Sequence, residues 1–254
     1  MKGYVAFTKK EFLEQTRTFR MFILFLIFFI FGMMSPLMAK LMPEILSQMP
    51  IEGVTITLSE PTAIDSYMQF FKNITQMGMI VLVLVFSGTL SQELSRGTLI
   101  NMLTKGLSRY AVILSKFTVA SVLWSLSLFI AFLTTYAYTA YFFSMKGIQN
   151  LFLSVGCLWL FGIFLLAVLL FVQTISSSQS GGLLLMVLII GLLFILNLFP
   201  SLQHLNPLTL VLENVSMLES DYDVSTLGPS IVITVLLTGT FLVISLAVFK
   251  NKRI

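Results

Sequence analysis

The chain contains few of the residues that bind metals, form disulfides or carry charge. Its 254 residues include one cysteine, Cys157, and one histidine, His204. A disulfide framework needs paired cysteines, and a zinc site built on cysteine and histidine needs several such ligands, so the composition excludes both. Charged residues make up only 10% of the chain, against roughly 25% in ordinary globular domains.

Apolar residues are correspondingly abundant, at 57% of the chain with 24 Phe and a mean hydropathy of +0.97. So few charged residues cannot shield this much apolar surface from water. We therefore expect part of the apolar surface to face lipid. Six runs are apolar and long enough to cross a hydrocarbon core of about 30 Å. They are residues 21–39, 70–90, 112–143, 151–172, 183–199 and 231–249.

These runs predict an all-α polytopic membrane protein with one transmembrane domain over residues 1–254. Continuous apolar stretches such as 81–86 and 183–190 lack the alternation that a transmembrane strand requires. The third run is too long for one simple crossing. We expect its first turns to lie at the membrane surface, with Lys116 extending toward water.

The few charges are sorted by segment. Twelve of the 15 basic residues lie in the N-terminal segment, in the connection between spans two and three together with the start of span three, and at the C-terminus, whereas eight of the 11 acidic residues lie in the other connections. The positive-inside rule therefore predicts that both termini are cytoplasmic, with outer loops at 40–69 and 200–228. Because this topology accounts for the basic isoelectric point of about 9.2, a nucleic-acid partner is not expected.

The spans lack the groups that drive transport or catalysis. No Asp, Glu, Arg or His lies near the centre of a span, which argues against an ion-coupled carrier. None of the ten lysines is followed by Ser or Thr, so the chain has no P-loop. We expect no catalytic residue, no metal and no cofactor bound by this chain; energy for any active transport must come from another subunit.

Residues 91–110 form the longest charged segment between two spans. Gly97 and Gly106 can bracket a short helix of about two turns, in which Leu99 and Leu103 are apolar. A short amphipathic helix between two spans suits docking to a partner protein. An ordinary basic loop that happens to be helical is the alternative.

A set of residues in this segment resembles a known signature. Glu93, Gly97-Thr98-Leu99, Leu103-Thr104, Ser108-Arg109 and Lys116 are similar to the E…GTL…LLT.P.SR…K pattern of permease subunits of type-2 ATP-binding-cassette (ABC) exporters, with Gly106 where that family often has Pro. The resemblance implies a coupling helix that contacts the ATPase subunit. The residues it assigns to this coupling are Glu93, Arg96, Gly97, Thr98, Leu99, Leu103, Thr104, Gly106, Ser108 and Arg109.

The same resemblance implies the other components of an exporter assembly. Two ATPase subunits would bind ATP and Mg²⁺, and a second permease copy would complete a dimer in the bacterial cell membrane. Residues 1–20 resemble the family's N-terminal interfacial helix, in which Val5, Phe12 and Phe19 recur every seven residues while Lys9 interrupts the stripe. The substrate expected is hydrophobic or amphipathic, such as a peptide or a drug-like molecule, moved outward.

Two features of the sequence each allow more than one interpretation. Hydroxyl residues on one sector of the third span could line a substrate path or could pack helices together; they are Ser121, Ser125, Thr135, Tyr136 and Thr139. Residues 200–228 could form a re-entrant or capping hairpin or a plain surface loop. For the whole chain, the alternatives to an exporter subunit are a non-transporting scaffold or sensor that recruits a cytoplasmic partner, and a self-contained carrier.

Overall fold

The computed structural model describes residues 2–47, 60–104, 106–176 and 178–252. In these residues every regular element is helical. The α-helices are α1 Lys2–Arg17, α2 Arg20–Ser47, α3 Ala63–Asn73, α4 Met79–Phe86, α5 Ser91–Ser95, α6 Thr98–Thr104, α7 Arg109–Phe142, α8 Leu151–Ile175, α9 Gln179–Leu196, α10 Pro200–Gln203, α11 Thr209–Leu212 and α12 Gly228–Asn251.

Six helical segments are long and apolar enough to cross a membrane, which confirms the predicted all-α fold with six spans. The segments are Arg20–Ile45, Ala63–Ser95, Arg109–Phe142, Leu151–Ile175, Gln179–Leu196 and Val224–Asn251. Two of them reach into the predicted outer loop 40–69, since α2 continues to Ser47 and α3 begins at Ala63. Residues 48–59 of that loop lie outside the described residues.

The early start of the second span has a local cause. The backbone N–H of Thr62 donates a hydrogen bond to the carboxylate of Asp65, with 2.7 Å between N and Oδ2. A carboxylate in the first turn satisfies a backbone donor that has no partner inside the helix. A hydropathy pattern alone does not register this cap, so the predicted span began at residue 70.

The second span is interrupted twice along its length. A π-helical segment, Ile74–Gly78, joins α3 to α4, and residues 87–90 form a turn between α4 and α5. The side chain of Gln173, from α8, accepts a hydrogen bond from Leu90 N (2.8 Å) and donates one to Phe86 O (2.9 Å). This buried amide therefore pairs two backbone groups that the turn leaves without helical partners.

Close approach at small residues holds the centre of the bundle. A Cβ on Gly32 of α2 would lie 2.6 Å from the carbonyl oxygen of Ala131 in α7, so the two backbones touch. The hydroxyl of Thr135 donates to the carbonyl of Gly32 across the same contact (3.0 Å). The fully buried Trp124 packs on the face of Gly162 in α8 in the same way. In lipid, where the hydrophobic effect does not drive helices together, such close contacts stabilise the packing of one helix on another.

Both chain ends lie at the same end of the bundle, here called the terminal end; the opposite end is the distal end. Arg109, at the start of α7, donates hydrogen bonds to the carbonyls of Phe249, Lys250 and Lys252 at 2.6–2.9 Å. Helix α1 packs beside the first turns of α7 through hydrogen bonds from Tyr4 and Thr8. An even number of crossings requires this arrangement.

The segment 200–228 forms a packed cap at the distal end. Its short helices rest on α8, where Leu210, Met217 and Leu227 are fully buried. The amide of Asn206 donates to the carbonyl of Leu193 at the end of α9 (2.8 Å). Of the two alternatives left by the sequence, the capping structure is therefore the observed one, and a plain surface loop is not.

Candidate functional site

Five charged side chains from three helices meet at the terminal end and form what we call the charge cluster: Lys10, Glu11, Glu14, Glu93 and Lys116. The Lys116 ammonium lies 2.9 Å from Glu11 Oε2 and 2.7 Å from Glu93 Oε2, and it donates a hydrogen bond to the carbonyl of Thr89 (2.9 Å). The Lys10 ammonium lies 2.9, 2.6 and 2.5 Å from oxygens of Glu11, Glu14 and Glu93.

Each helix contributes to the charge cluster through its local register. Lys10 and Glu14 are one turn apart on α1, which is the spacing at which opposite charges pair on a helix. Glu93 lies in the first turn of α5, directly after the break in the second span. Lys116 lies two turns inside α7, where α1 covers it. The side chains of Lys116 and Glu11 are each only 2% exposed.

The prediction that Lys116 extends into water is therefore wrong. Helix α1 lies over the start of α7 and supplies a carboxylate from Glu11, so the ammonium finds a partner without leaving the protein. The aromatic ring of Phe7, whose centroid lies 5.8 Å from the Lys116 ammonium, closes the same side. A buried charge that is paired and hydrogen-bonded in this way avoids the cost of desolvation without compensation.

The charges in the cluster nearly balance, with three carboxylates against two ammonium groups. Burial alone lowers the pKa of Lys10, but its hydrogen bonds to Glu14 and Glu93 and the charge of Glu11 outweigh burial, so this pKa lies above its ordinary value. Burial raises the pKa of Glu14, and the hydrogen bond from Lys10 outweighs it, so this pKa lies below its ordinary value. Both α1 groups are therefore held in their charged forms.

The carboxylates of the charge cluster also have a spacing that could hold a cation. Oxygens of Glu11, Glu14 and Glu93 lie within 4.8 Å of one another. The Lys10 ammonium, however, already contacts an oxygen of each of the three. It takes the position that a metal ion would need, so the geometry is that of an ion-pair network.

A surface cavity of about 250 Å³ adjoins the charge cluster. Lys10, Glu14 and Glu93 form its inner wall, while Arg20 and Arg96 line it from α2 and from the turn after α5. The cavity opens at the terminal end, next to the segment whose sequence resembles a coupling helix. It can receive a polar or charged side chain from a second protein.

The expected short helix is present as α6, Thr98–Thr104, between Gly97 and Gly106. Both glycines have positive φ, +68° and +90°, a region that L side chains rarely adopt. The value at Gly106 is one that proline, with φ near −65°, cannot adopt. Glycine rather than proline at this position is therefore what the observed turn requires.

The ten predicted coupling residues divide into an inner and an outer group. Leu99 is fully buried against Phe7 and Phe249, and Ser108 accepts a hydrogen bond from Ala111 N as the N-cap of α7. Arg109 contacts the end of α12, as described above, and so cannot also contact a partner with that nitrogen. The exposed members are Arg96, Thr98, Thr104, Gly106 and Ser108.

Two surface residues of α6 escaped the sequence prediction. Ile100 is 41% exposed and Asn101 is exposed on the same helix, facing away from Leu99. Ile100 is therefore an exposed apolar side chain next to the exposed polar Asn101 at the terminal end. The signature includes Leu99, which is buried, because a sequence pattern does not show which face of a helix is exposed to solvent.

A helix, α1, is present in the segment predicted to be an interfacial helix, and it ends at Arg17, before residue 20. Phe19 lies in the turn to α2 with φ +58°. The predicted stripe of Val5, Phe12 and Phe19 is therefore wrong in its last member, because the turn removes Phe19 from the helical register. Val5 and Phe12 remain exposed on one face of α1.

The five residues of the predicted substrate path do not line one common surface. Thr135 and Thr139 are fully buried, and the Thr139 hydroxyl lies 2.6 Å from that of Ser66 in α3. Ser125 accepts a hydrogen bond from the indole N–H of Trp159 (2.8 Å), Ser121 is partly buried, and Tyr136 is exposed. For the two buried threonines, the alternative of helix packing describes what is observed.

An apolar groove of about 480 Å³ lies elsewhere, between the second, fourth and fifth spans. Met79 and Val83 of α4, Leu165 of α8, and Met186 and Ile190 of α9 line it. The sequence contains no signal for this groove, because its walls come from apolar runs in which Thr75 is the one polar residue among the described lining residues and does not by itself mark a face.

The charge cluster itself did leave a trace in the sequence. Eight of the 11 acidic residues lie away from the basic segments, and the three that do not are Glu11, Glu14 and Glu93. These three exceptions to the charge sorting are the three carboxylates of the cluster. These acidic residues, which lie against the prevailing topology signal, are the sequence feature from which the cluster could have been inferred.

The chain is similar to a distant relative among curated proteins. The chain is 23% identical over 185 residues to the uncharacterized transmembrane protein YxlG of Bacillus subtilis (strain 168), and the match covers 72% of this chain and 71% of that protein. No protein-family model matches the chain. The similarity supports the conclusion that this is a membrane protein with transmembrane helices.

Proposed function

We propose that the chain is the membrane-spanning subunit of an ATP-driven ABC exporter, powered by a separate ATPase subunit that docks at the terminal end. The observation that carries this proposal is the charge cluster. It joins the segment that resembles a coupling helix to α1 through Lys10 and to α7 through Lys116. A displacement of α5 and α6 by a bound motor would thus act on both neighbouring helices.

The surface around the charge cluster supports docking. Ile100 and Asn101 of α6 are exposed, and the cavity beside Glu93 and Arg96 is open. An apolar anchor next to a charged recess is a typical arrangement for recognition of a protein partner. Two copies of the permease with two ATPase subunits, which hold ATP and Mg²⁺, complete the proposed assembly.

The apolar groove supports the class of cargo. Its walls are aliphatic, aromatic and methionine side chains with Thr75 as a polar group, so it suits a hydrophobic or amphipathic molecule. In contrast, two of the hydroxyl residues of the third span, Thr135 and Thr139, form hydrogen bonds to neighbouring helices. We therefore assign the path for an outward-moving peptide or drug-like substrate to the groove.

The basic residues support the orientation. Twelve of the 15 basic residues belong to the N-terminal segment, to the stretch from α5 to the first turns of α7, and to the C-terminal segment, and the described parts of these three stretches meet at the terminal end. By the positive-inside rule this end, and with it both termini, faces the cytoplasm. The similarity to a transmembrane protein of a bacterium supports placement in a bacterial cell membrane.

Reconstitution tests the proposal. The chain would be co-expressed with each P-loop ATPase subunit of its source genome that lacks a membrane domain, and ATP hydrolysis and ATP-dependent movement of a lipophilic dye would be measured in liposomes. Ile100→Asp should abolish binding of the ATPase and dye movement, because it places a charge in the docking surface without touching the core. Val224→Asp, at an exposed position of the distal cap, is the matched control and should behave as wild type.

Two results would contradict the exporter. A failure of the ATPase to bind the wild-type chain would remove the motor, and ATPase binding with no dye or peptide movement would favour the scaffold alternative. Equal coupling in Ile100→Asp and Val224→Asp would remove α6 from the docking surface.

A further inference from the structure

A second groove lies on the outside of the bundle at the terminal end, between α1 and α7. It has a volume of about 510 Å³, and its walls include Val5, Lys9 and Phe12 of α1 and Val119 and Val122 of α7. The two helices are tied together beside it, because the Tyr4 and Thr118 hydroxyls lie 2.8 Å apart and Thr8 donates to Ser115 (2.9 Å). The groove is thus a fixed feature of the packing of α1 on a membrane span.

The charges of α1 are divided between its two sides. Glu11 and Glu14 turn toward the protein and pair with lysines of the charge cluster. Lys9 is exposed on the other side, and it forms neither an ion pair nor a hydrogen bond with the part of the chain that the structure describes. The outer side of the helix is therefore cationic.

Lys9 also lies in the middle of an apolar surface. It is four residues after Val5 and three before Phe12, so the three share one face of α1. An ammonium group among apolar side chains at the edge of a membrane is costly unless an anion lies nearby or the side chain extends to the headgroup layer. An apolar trough with one cation at its rim matches the chemistry of a phospholipid with a negatively charged headgroup.

We propose that this groove binds one anionic phospholipid, with an acyl chain against Val5, Phe12 and Val122 and the phosphate against Lys9. The groove opens sideways from a transmembrane helix, where acyl chains are the molecules available to fill it. The bound lipid attaches α1 to the membrane surface and thereby holds the helix that supplies Lys10, Glu11 and Glu14 to the charge cluster. This inference depends on the membrane fold and on none of the proposed ATPase chemistry.

Lipid retention by the purified full chain tests the proposal. The protein would be incubated with an equimolar mixture of phosphatidylglycerol and phosphatidylcholine, and bound lipid counted by native mass spectrometry. Wild type should retain phosphatidylglycerol preferentially. Lys9→Gln should lower that retention about fivefold, the effect of one basic residue near an anionic surface. Arg17→Gln removes the same charge from an exposed position of the same helix outside the groove and should retain the lipid as wild type does.

A second variant separates the groove from surface charge. Val122→Phe fills the trough without changing charge, and it should lower phosphatidylglycerol retention while α-helical circular dichroism stays unchanged. Equal retention of the two lipids by wild type, equal losses in Lys9→Gln and Arg17→Gln, or full retention by Val122→Phe would each overturn the proposal. Because the assay contains no ATPase, its outcome is independent of whether the exporter proposal holds.

Discussion

Replacing Lys116 by methionine is the sharpest perturbation of the charge cluster. Methionine keeps much of the side-chain length but removes the ammonium that contacts Glu11, Glu93 and the carbonyl of Thr89. Three carboxylates then share Lys10, whose side chain is 33% exposed. Removing one partner of a buried ion pair costs about 3–5 kcal/mol, because the other charge stays buried. We expect the free energy of unfolding of Lys116→Met to fall by about this amount.

The carboxylate side of the same cluster gives the matched comparison. Glu11→Gln leaves two carboxylates with two ammonium groups, so no charge is stranded and the expected loss is smaller, at about 1–3 kcal/mol. The double variant Lys116→Met/Glu11→Gln should be more stable than Lys116→Met alone, because one stranded carboxylate is gone. Equilibrium unfolding of the purified chain in mixed micelles, followed by circular dichroism, gives all three values. Strictly additive losses would refute the reasoning.

Mild acidification should change the free energy of unfolding in opposite directions in the wild type and in Lys116→Met. In the wild type the pKa of Glu14 is lowered from 4.5 by its pairing with Lys10, so this contribution is fully present above the unfolded value and is lost as the pH falls through the folded value. In Lys116→Met, protonation relieves the repulsion between stranded carboxylates, so acidification from about pH 7 should first stabilise the variant. Parallel pH profiles would contradict the assigned pairing.

Three further predictions concern contacts between helices elsewhere in the bundle. Gly32→Ala should lower the free energy of unfolding by about 1–3 kcal/mol because its Cβ meets the backbone of α7, whereas Gly191→Ala, which has open space, should be neutral or stabilising. Gln173→Leu should cost about 1–3 kcal/mol because it leaves the backbone N–H of Leu90 unpaired, whereas the carbonyl of Phe86 keeps its hydrogen bonds from Thr89; the exposed Gln203→Leu is its control. Arg109→Gln should free the end of α12 and speed the tryptic removal of a C-terminal tag, with unfolding of the remaining bundle nearly unchanged; an unchanged cleavage rate would contradict its role.

The fold was predictable because lipid imposes a simple requirement on sequence. Each span needs a long apolar run, and all six runs correspond to helices. The boundaries were less accurate where polar groups stabilise helix ends. The carboxylate of Asp65 begins α3 seven residues before the apolar run. The turn at Phe19 ends the register of α1. Hydropathy averages over such single hydrogen bonds and backbone angles.

The site was predictable only in part, because its residues come from three distant segments. The resemblance to the exporter signature pointed to Glu93 and Lys116, which the structure brings to 2.7 Å. It did not point to Lys10, Glu11 or Glu14, which reach the same cluster from the N-terminal helix. Pairing across more than 80 residues depends on how α1 crosses α7, and no periodicity within one segment encodes that crossing. The apolar groove could not be predicted for a related reason. In the sequence, apolar residues that line a groove cannot be distinguished from apolar residues that face lipid.

A network of ion pairs joins α1, α5 and α7 where an apolar contact would have been stable as well. Buried ion pairs contribute little net stability compared with well-packed apolar residues, so their use here calls for a different physical reason. Apolar surfaces can slide past each other with small changes in free energy, whereas Lys116 contacts Glu11 and Glu93 within 2.9 Å and a shift of one partner strands a charge. The network therefore forces α5 to move together with α1 and α7 or to break its pairs. That property is the one that the proposed exporter subunit would need between the proposed docking surface on α6 and the spans that would move.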